Sequence, residues 1–242
     1  MKTLIIAISA VLLLASCRIL NADIVFSESF DVTASNESEF TTNYPNFQIV
    51  LGSADVWVPP TNRLQIAGTT ESQIQLVGVP EWHEIELDIG RISGSGSPVQ
   101  GNVGIRIGDN NVVFHPGLDN SSGFPDGSLR VEGPGGFGNQ DVGFVPDPGV
   151  LHTLSVVADG TGNFTVSLTD ANNATNVFSK SWFNSGAVNG QIKLRHIDVT
   201  AAGHTALFDN IQVVGVPEPN STIMIIAGLI TICCVRRKSA VA

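Results

Sequence analysis

Short runs in which apolar and polar residues alternate strictly recur along the chain, and they constrain its fold more than any other feature. Residues 84–89 read Glu-Ile-Glu-Leu-Asp-Ile, and the same period of two recurs in 103–107, 164–169 and 192–195. A period of two places successive side chains on opposite sides of a β-strand, with one side in a core and the other in water. No apolar stripe at helical spacing competes with this pattern, so we expect an all-β chain.

Further short apolar segments fit the same scheme. They are 47–50, 64–66, 74–77, 112–114, 129–131, 154–157 and 207–213. Clusters of Gly, Pro, Asn and Asp, such as 133–136 and 159–163, separate these segments and are typical of turns. Many short strands at this spacing predict an antiparallel sandwich or barrel, here as one domain over residues 23–215.

Two segments resemble laminin-G and concanavalin-like jelly rolls. Residues 150–156 (VLHTLSV), followed by the turn at 159–160 and by 163–166 (NFTV), resemble the late hairpin of such domains. Residues 208–213 (FDNIQV) resemble their closing strand, which returns beside the first. The resemblance implies an antiparallel jelly-roll sandwich. Jelly rolls serve as glycan-binding modules, adhesive domains and some glycosidases, so the fold does not assign the function.

The first 22 residues have the layout of a secretory signal peptide. Lys2 is followed by an apolar stretch at 4–15 and then by small residues. The apolar stretch is short for a membrane span. Two ways of processing stay open. The signal peptide is either cleaved after Ala22, which we favour slightly, or Cys17 is lipidated, because 14–17 (LASC) resemble a bacterial lipobox.

The C-terminus carries a second address. Pro217-Glu218-Pro219 precede an apolar segment at 222–235, and Arg236, Arg237 and Lys238 follow it. An apolar segment followed by arginine and lysine is typical of a stop-transfer signal whose basic end stays in the cytoplasm. A helix of this length spans about 21 Å, against about 30 Å for the hydrocarbon core of a membrane. Snorkelling of the flanking basic side chains would allow it to span.

This order of elements resembles the PEP-CTERM sorting signal. The resemblance covers residues 216–242 and implies that an exosortase-type enzyme recognises the Pro-Glu-Pro box and cuts near it. The chain would then reside in the inner membrane during sorting and afterwards at the cell surface or outside the cell.

The composition of residues 23–215 limits the partners of the domain. This segment holds 7 Lys and Arg against 21 Asp and Glu, a formal net charge of −14, and it contains no cysteine. Nucleic acid is disfavoured, because binding it requires basic residues that neutralise phosphates. Without cysteine the domain has neither disulfides nor thiolate metal sites, so its stability must come from a core, for which its length suffices.

Glu84, Glu86 and Asp88 are the best candidates for catalysis. In a strand they would share one face about 6.6–7 Å apart, a separation that glycoside hydrolysis can use. They resemble the Glu, Asp, Glu strand motif of laminarinase-type glycosidases, with the last two residue types exchanged. The alternative, which we favour, is the water-facing side of a strand in an acidic protein. We therefore assign no catalytic residue and expect no enzyme.

Carboxylates near both ends of the domain suggest a calcium site. Jelly rolls of this kind often hold a structural Ca²⁺ between the first and last strands, and the ion prefers oxygen ligands. Glu28 and Asp31 would then meet Asp209. The alternative is that these are unrelated surface carboxylates, which the large number of acidic residues favours. No other cofactor is expected.

Aromatic side chains can form platforms for sugar rings, and Trp57, Trp82 and Trp182 are the candidates. Packing in the core is the competing explanation for each of them. The sequence favours a non-enzymatic surface or matrix protein whose domain binds or associates with extracellular polysaccharide. A secreted glycosidase and a structural surface protein without a ligand remain the alternatives.

Overall fold

The computed structural model describes most of the predicted domain. The described residues are 23–52, 55–68, 71–79, 81–92, 101–115, 127–144, 147, 149–184, 191–198 and 203–216. The predicted signal peptide, with Cys17, and the predicted sorting motif from Pro217 onward lie outside them. None of the described helices has the length and apolar character needed to cross a membrane.

The order of elements is dominated by strands, as the alternating runs predict. The helix is α1 (Glu37–Asn43), and the strands are β1 (Ile24–Glu28), β2 (Phe47–Leu51), β3 (Asp55–Trp57), β4 (Leu64–Ala67), β5 (Glu71–Leu76), β6 (Trp82–Ile92), β7 (Gly101–Ile107), β8 (Asn110–His115), β9 (Ser128–Glu132), β10 (Gln140–Asp141), β11 (His152–Ala158), β12 (Asn163–Asp170), β13 (Asn173–Phe183), β14 (Ile192–Asp198) and β15 (Thr205–Gly215).

The strands form two antiparallel sheets. The first sheet has the order β13-β12-β11-β6-β15-β4-β3, and β1 also pairs with β15. The second sheet has the order β10-β9-β8-β7-β14-β5-β2. Inward side chains of both sheets meet in one buried cluster, for example Leu87 and Leu154 of the first sheet and Ile105 and Leu194 of the second. The predicted antiparallel sandwich is confirmed.

The pairing of strands confirms two details of the jelly-roll resemblance. β11 and β12 form an antiparallel hairpin with Leu154 opposite Leu168. The closing strand β15 runs antiparallel to the first strand β1, with Gln212 opposite Ser27. The strands and the buried apolar residues that the structure describes lie in the unit Ile24–Gly215. This segment therefore contains a complete core and is expected to fold without either terminal segment.

The helix α1 differs from the expectation of an all-β chain. Its cap is Asn36, whose Oδ1 accepts a hydrogen bond from the Glu39 amide at 3.1 Å, a common way to begin a helix. Phe40 is its buried residue and packs 5.2 Å from the ring centre of Tyr44 and 5.8 Å from that of Phe47. Two helical turns are too short for an apolar period to repeat, so the sequence contains no periodic pattern from which this helix could be predicted.

The strand β13 (Asn173–Phe183) is the longest one that the alternating pattern did not indicate. It lies at the edge of the first sheet, and its first five residues are exposed. An edge strand with a solvated start needs few apolar residues, so its sequence resembles a polar loop. Its inward side becomes apolar only in the second half of the strand, where Phe178 packs against the core and Trp182 stacks on Phe164 with ring centres 5.0 Å apart.

Candidate functional site

The outward face of the second sheet carries a continuous line of polar side chains, one from each of six neighbouring strands. In order they are Gln48, Gln75, Lys193, Arg106, Asn111 and Glu132, each directly opposite the next. All six are exposed or half-buried. With strands about 4.7–4.9 Å apart, the line is about 24 Å long. We call these six residues the polar row.

Alternation within each strand creates the polar row. Lys193 stands between Ile192 and Leu194, and Arg106 between Ile105 and Ile107, and all four apolar neighbours are buried in the core. Turning the apolar residues inward forces the polar residues outward. The pairing of the strands then brings all six polar residues into register.

Two cations lie at the centre of the row. Lys193 of β14 and Arg106 of β7 are directly opposite each other. The Nε of Arg106 donates a hydrogen bond to the Gly108 carbonyl at 3.0 Å. Within the described part of the chain, Lys193 makes no hydrogen bond and no ion pair. The lysine ammonium is therefore available to a ligand.

A buried arginine supports the row from the side. Arg195, two residues beyond Lys193, is 8 % exposed. Its Nε donates to Glu71 Oε1 at 2.6 Å, and its Nη1 reaches Glu132 Oε2 at 3.2 Å. Glu132 lies in β9, and the strands β7 and β8 separate it from β14. Gly104 stands directly opposite Arg195 in β7, so β7 presents no side chain beside Arg195 at this position.

The two glutamates are held in place by several donors. Glu71 Oε1 also accepts from Gln73 Nε2 at 2.6 Å, while Glu132 accepts from Asn111 at 3.2 Å and pairs with Arg130 at 2.7 Å. Burial opposes the ionisation of Glu71, but the hydrogen bonds from Arg195 and Gln73 outweigh it and keep its pKa below the usual value. Glu71 is therefore a fixed carboxylate and is unsuited to donate a proton near neutral pH.

A small pocket opens beside Gln75 of the row. It has a volume of about 250 Å³ and is lined by Gln75, Leu76, Val79, Trp82 and Gln191, among others. Ligand pockets that enclose drug-sized molecules begin at about 300 Å³, so this pocket has room for a small polar group. Its walls combine the side-chain amides of Gln75 and Gln191 with the apolar side chains of Leu76, Val79 and Trp82.

The three predicted catalytic candidates lie on the outward face of the other sheet. Glu84, Glu86 and Asp88 point away from the core, as predicted from their spacing. Ser155 Oγ donates to Glu84 at 3.0 Å and Thr153 Oγ1 donates to Asp88 at 2.8 Å. Burial, together with the charges of Glu84 and Asp88, raises the pKa of Glu86.

The predicted calcium ligands are engaged in local contacts. Glu28 Oε1 accepts hydrogen bonds from the backbone amides of Ser29 at 3.0 Å and Phe30 at 2.9 Å. Asp31 Oδ2 accepts from the hydroxyl of Ser29 at 2.8 Å. One carboxylate oxygen of Glu28 is thus held by the backbone that directly follows β1.

Asp209 nevertheless lies in a crowded acidic environment. Burial raises its pKa, the charges of Asp88 and Asp31 raise it further, and the hydrogen bond from Asn210 and the charge of Arg63 act against them. Among the residues that the structure describes, no group of three or more His, Cys, Asp or Glu side chains is arranged to hold a metal ion. A Ca²⁺ site at these residues stays a prediction.

The tryptophans occupy different environments. Trp82 is 2 % and Trp182 is 5 % exposed, and both pack against Phe164, with ring centres 6.3 and 5.0 Å apart. Their rings face the core, where a flat sugar-binding platform is not presented, although an edge of Trp82 reaches the small pocket. Trp57 is half-buried in the edge strand β3.

The polar row itself was missed by the sequence reasoning. Lys193 and Arg106 each stood on the polar side of an alternating run, which was the available signal. Their strands are 87 positions apart in the chain at this pair, so only the order of strands in the sheet reveals that they are neighbours.

Neither any known protein family nor any curated protein matches the sequence of this chain. Solved structures share its fold. They include a seed lectin of Lotus tetragonolobus, with a TM-score of 0.56 and 11% identity over 78% of this chain and 96% of the lectin. Peanut lectin has a TM-score of 0.53 and 12% identity over 78% of this chain and 97% of the lectin. A variant of the Emp46p carbohydrate recognition domain has a TM-score of 0.51 and 14% identity over 80% of this chain and 98% of that domain. At such identities the likeness shows the fold alone, and it confirms the concanavalin-like jelly roll.

Proposed function

We propose that this chain is an exported, non-enzymatic surface or matrix protein whose sandwich domain binds polysaccharide along the polar row. The observation that carries the proposal is the row itself, because it is accessible, about 24 Å long, and presents an amide, ammonium, guanidinium or carboxylate group on each of six strands. Sugar hydroxyls both donate and accept hydrogen bonds, so they match such a mixture of groups.

The support around the row favours binding by a preformed surface. Arg195 joins Glu71 and Glu132 across the sheet, and Asn111 is held by Glu132. Side chains that are already fixed lose less conformational entropy when a ligand arrives. Two structures with the same fold are lectins and another is a carbohydrate recognition domain, which supports the proposal by analogy of fold only.

The test is binding of the domain to immobilised polysaccharides of several classes. Replacing Gln75 and Asn111 together with alanine should weaken binding by about tenfold or more, because two hydrogen bonds of about 0.5–1.5 kcal/mol each are removed. The matched control replaces Ser167 and Ser179, which are paired on the outward face of the other sheet, and should bind as the wild type does. A domain that binds none of the polysaccharides would refute the proposal and favour a structural protein without a ligand.

A secreted glycosidase remains the second candidate, and the raised pKa of Glu86 between two hydrogen-bonded carboxylates is the observation in its favour. A raised carboxyl pKa is one feature of the general acid in glycoside hydrolysis. The outward face of the first sheet also carries a line of polar side chains, Ser27, Gln212, Glu86, Ser155, Ser167 and Ser179, each opposite the next. The polar row of the second sheet differs from it by its central pair of basic side chains. We expect no release of reducing ends from the bound polysaccharide, and release that disappears in Glu86→Gln would establish the enzyme instead.

We also propose that the chain reaches the surface through an exosortase-type enzyme that cuts near Pro217-Glu218-Pro219. The ordered box, apolar segment and basic cluster of residues 217–238 support this route. In the native host, Glu218→Ala should accumulate as a longer form in the membrane fraction on an immunoblot. Identical migration and fractionation of the wild type and the variant would contradict the sorting proposal without affecting the proposal on binding.

A further inference from the structure

We propose that the polar row selects anionic polysaccharides, with their acidic groups bound at the pair of Lys193 and Arg106. This inference rests on the proposed function and names the substrate class of the same site. It is carried by the direct opposition of two cations in the middle of an accessible row.

Placing two like charges directly opposite each other across a sheet is unfavourable. Within the row the flanking residues do not relieve it, because Gln75 stands beyond Lys193 and Asn111 beyond Arg106, and both are neutral. Outside the row, the charge of Arg106 also acts on Glu71. A bound anion between the two cations would convert this repulsion into attraction. The arrangement therefore costs stability in the unliganded protein and becomes favourable when an acidic group is bound.

The distribution of charge over the domain points the same way. Residues 23–215 contain only seven lysines and arginines. Four of them, Arg106, Arg130, Lys193 and Arg195, lie on the outward face of the second sheet. The outward face of the first sheet instead carries Glu84, Glu86, Asp88 and Asp209. A protein with so strong a net negative charge would repel an anionic polymer from most directions and attract it to this one face.

The acidic residues on the same face do not cancel this attraction at the centre of the row. Glu71 is paired with Arg195, and Glu132 is shared between Arg195 and Arg130. Among the described residues, Lys193 and Arg106 form no ion pair, although the charge of Arg106 helps to lower the pKa of Glu71. An arginine fork and a lysine ammonium both suit the oxygens of carboxylate and sulfate groups.

The experiment compares three polymers in parallel on the domain at 20 mM and 150 mM NaCl. They are polygalacturonate, which carries carboxylates, dextran sulfate, which carries sulfates, and neutral dextran. We expect at least one anionic polymer to bind about tenfold more tightly than dextran at the lower salt concentration, and this advantage to shrink at the higher one because salt screens the charges. The two anionic arms show which acidic group is preferred.

Lys193→Gln and Arg106→Gln should each weaken binding of the anionic polymer by about tenfold. Lys193→Arg keeps the positive charge and should retain binding. The control Arg63→Gln removes a basic residue elsewhere and should have no effect on binding. Lys193→Gln should melt at the same temperature as the wild type or slightly above it, because repulsion is relieved. Arg106→Gln also loses the hydrogen bond to the Gly108 carbonyl, so its melting temperature should be slightly lower than that of Lys193→Gln. Equal binding of dextran and the anionic polymers, or tight anionic binding that survives both glutamine variants, would overturn the inference. If dextran alone binds and Gln75→Ala with Asn111→Ala removes that binding, the proposed function stands and this inference fails. If no polymer binds, both fail.

Discussion

Gly104→Ala should lower the stability of the domain by about 3 kcal/mol, the upper end of what overpacking costs. A Cβ atom at position 104 would lie 2.1 Å from the carbonyl oxygen of Val112 and 3.2 Å from the Cα of Val113. Both atoms belong to the backbone of the paired strand β8, so no side chain can rotate away to make room. For a domain of this size the loss corresponds to a fall in Tm of about 6–12 °C.

Gly138→Ala is the matched control for this substitution. No atom lies within 4 Å of a Cβ built at Gly138, and its φ does not fall in the left-handed region. Its Tm should remain within about 2 °C of the wild type or rise slightly, since alanine restricts the unfolded chain. Equal melting temperatures of Gly104→Ala and Gly138→Ala would mean that β7 and β8 are not packed as closely as described.

The effect at Gly104 also reaches the polar row. Gly104 lies opposite Arg195 on one side and Val113 on the other, in the path that the guanidinium takes towards Glu132. A displaced β7 would move Arg106 relative to Lys193. Stability and polysaccharide binding should therefore decline together in this variant, unlike in Lys193→Gln, where only binding declines.

The sandwich could be predicted because most of its strands show an alternation of apolar and polar residues within their own sequence. In runs such as 84–89 and 164–169, the period of two is visible within six residues and predicts which side chains face the core. The helix at 37–43 and the edge strand at 173–183 were not visible in this way. The helix has one buried residue, Phe40, which packs on Tyr44 and Phe47, and the edge strand pairs along one side with β12. Neither segment therefore needs a repeating apolar pattern.

The candidate site was harder to predict than the fold. The sequence shows that Lys193 and Arg106 face water, but their relative position depends on the order β7-β14-β5 in the second sheet. Acidic residues that are close together in one strand, such as Glu84 and Glu86, form a motif that can be recognised in the sequence. The polar row takes one residue from each strand and therefore leaves no motif.

Arg195→Met should destabilise the domain by about 1–3 kcal/mol at pH 7, the range for hydrogen bonds between charged groups. Methionine keeps most of the length of the side chain but cannot donate to Glu71 and Glu132. Glu71 then keeps its hydrogen bond from Gln73, and Glu132 keeps its contacts with Asn111 and Arg130. Binding of polysaccharide should weaken as well, since Glu132 would no longer be fixed beside Asn111. Arg63→Met is the control, because Arg63 makes a long hydrogen bond of 3.4 Å to the Gly149 carbonyl and acts on Asp209 through its charge without an ion pair in the described residues. Its loss should cost less than about 0.5 kcal/mol.

The pH dependence of the Arg195→Met effect separates the loss of charge pairing from the loss of packing. In the wild type the pKa of Glu71 lies below its usual value, mainly because Arg195 and Gln73 overcome the effect of burial. A depressed pKa of an acid contributes stability that is present above the unfolded value of 4.5 and is lost as the pH falls through the folded value. Removing Arg195 removes that contribution, so the difference in unfolding free energy between wild type and variant should be full at pH 7 and shrink below about pH 4.5. Urea unfolding at pH 7, 5, 4 and 3 measures this difference directly. A gap that stays constant down to pH 3 would show that Arg195 stabilises the face by the packing of its stem, and the ion pairs with Glu71 and Glu132 would then not hold the polar row in place.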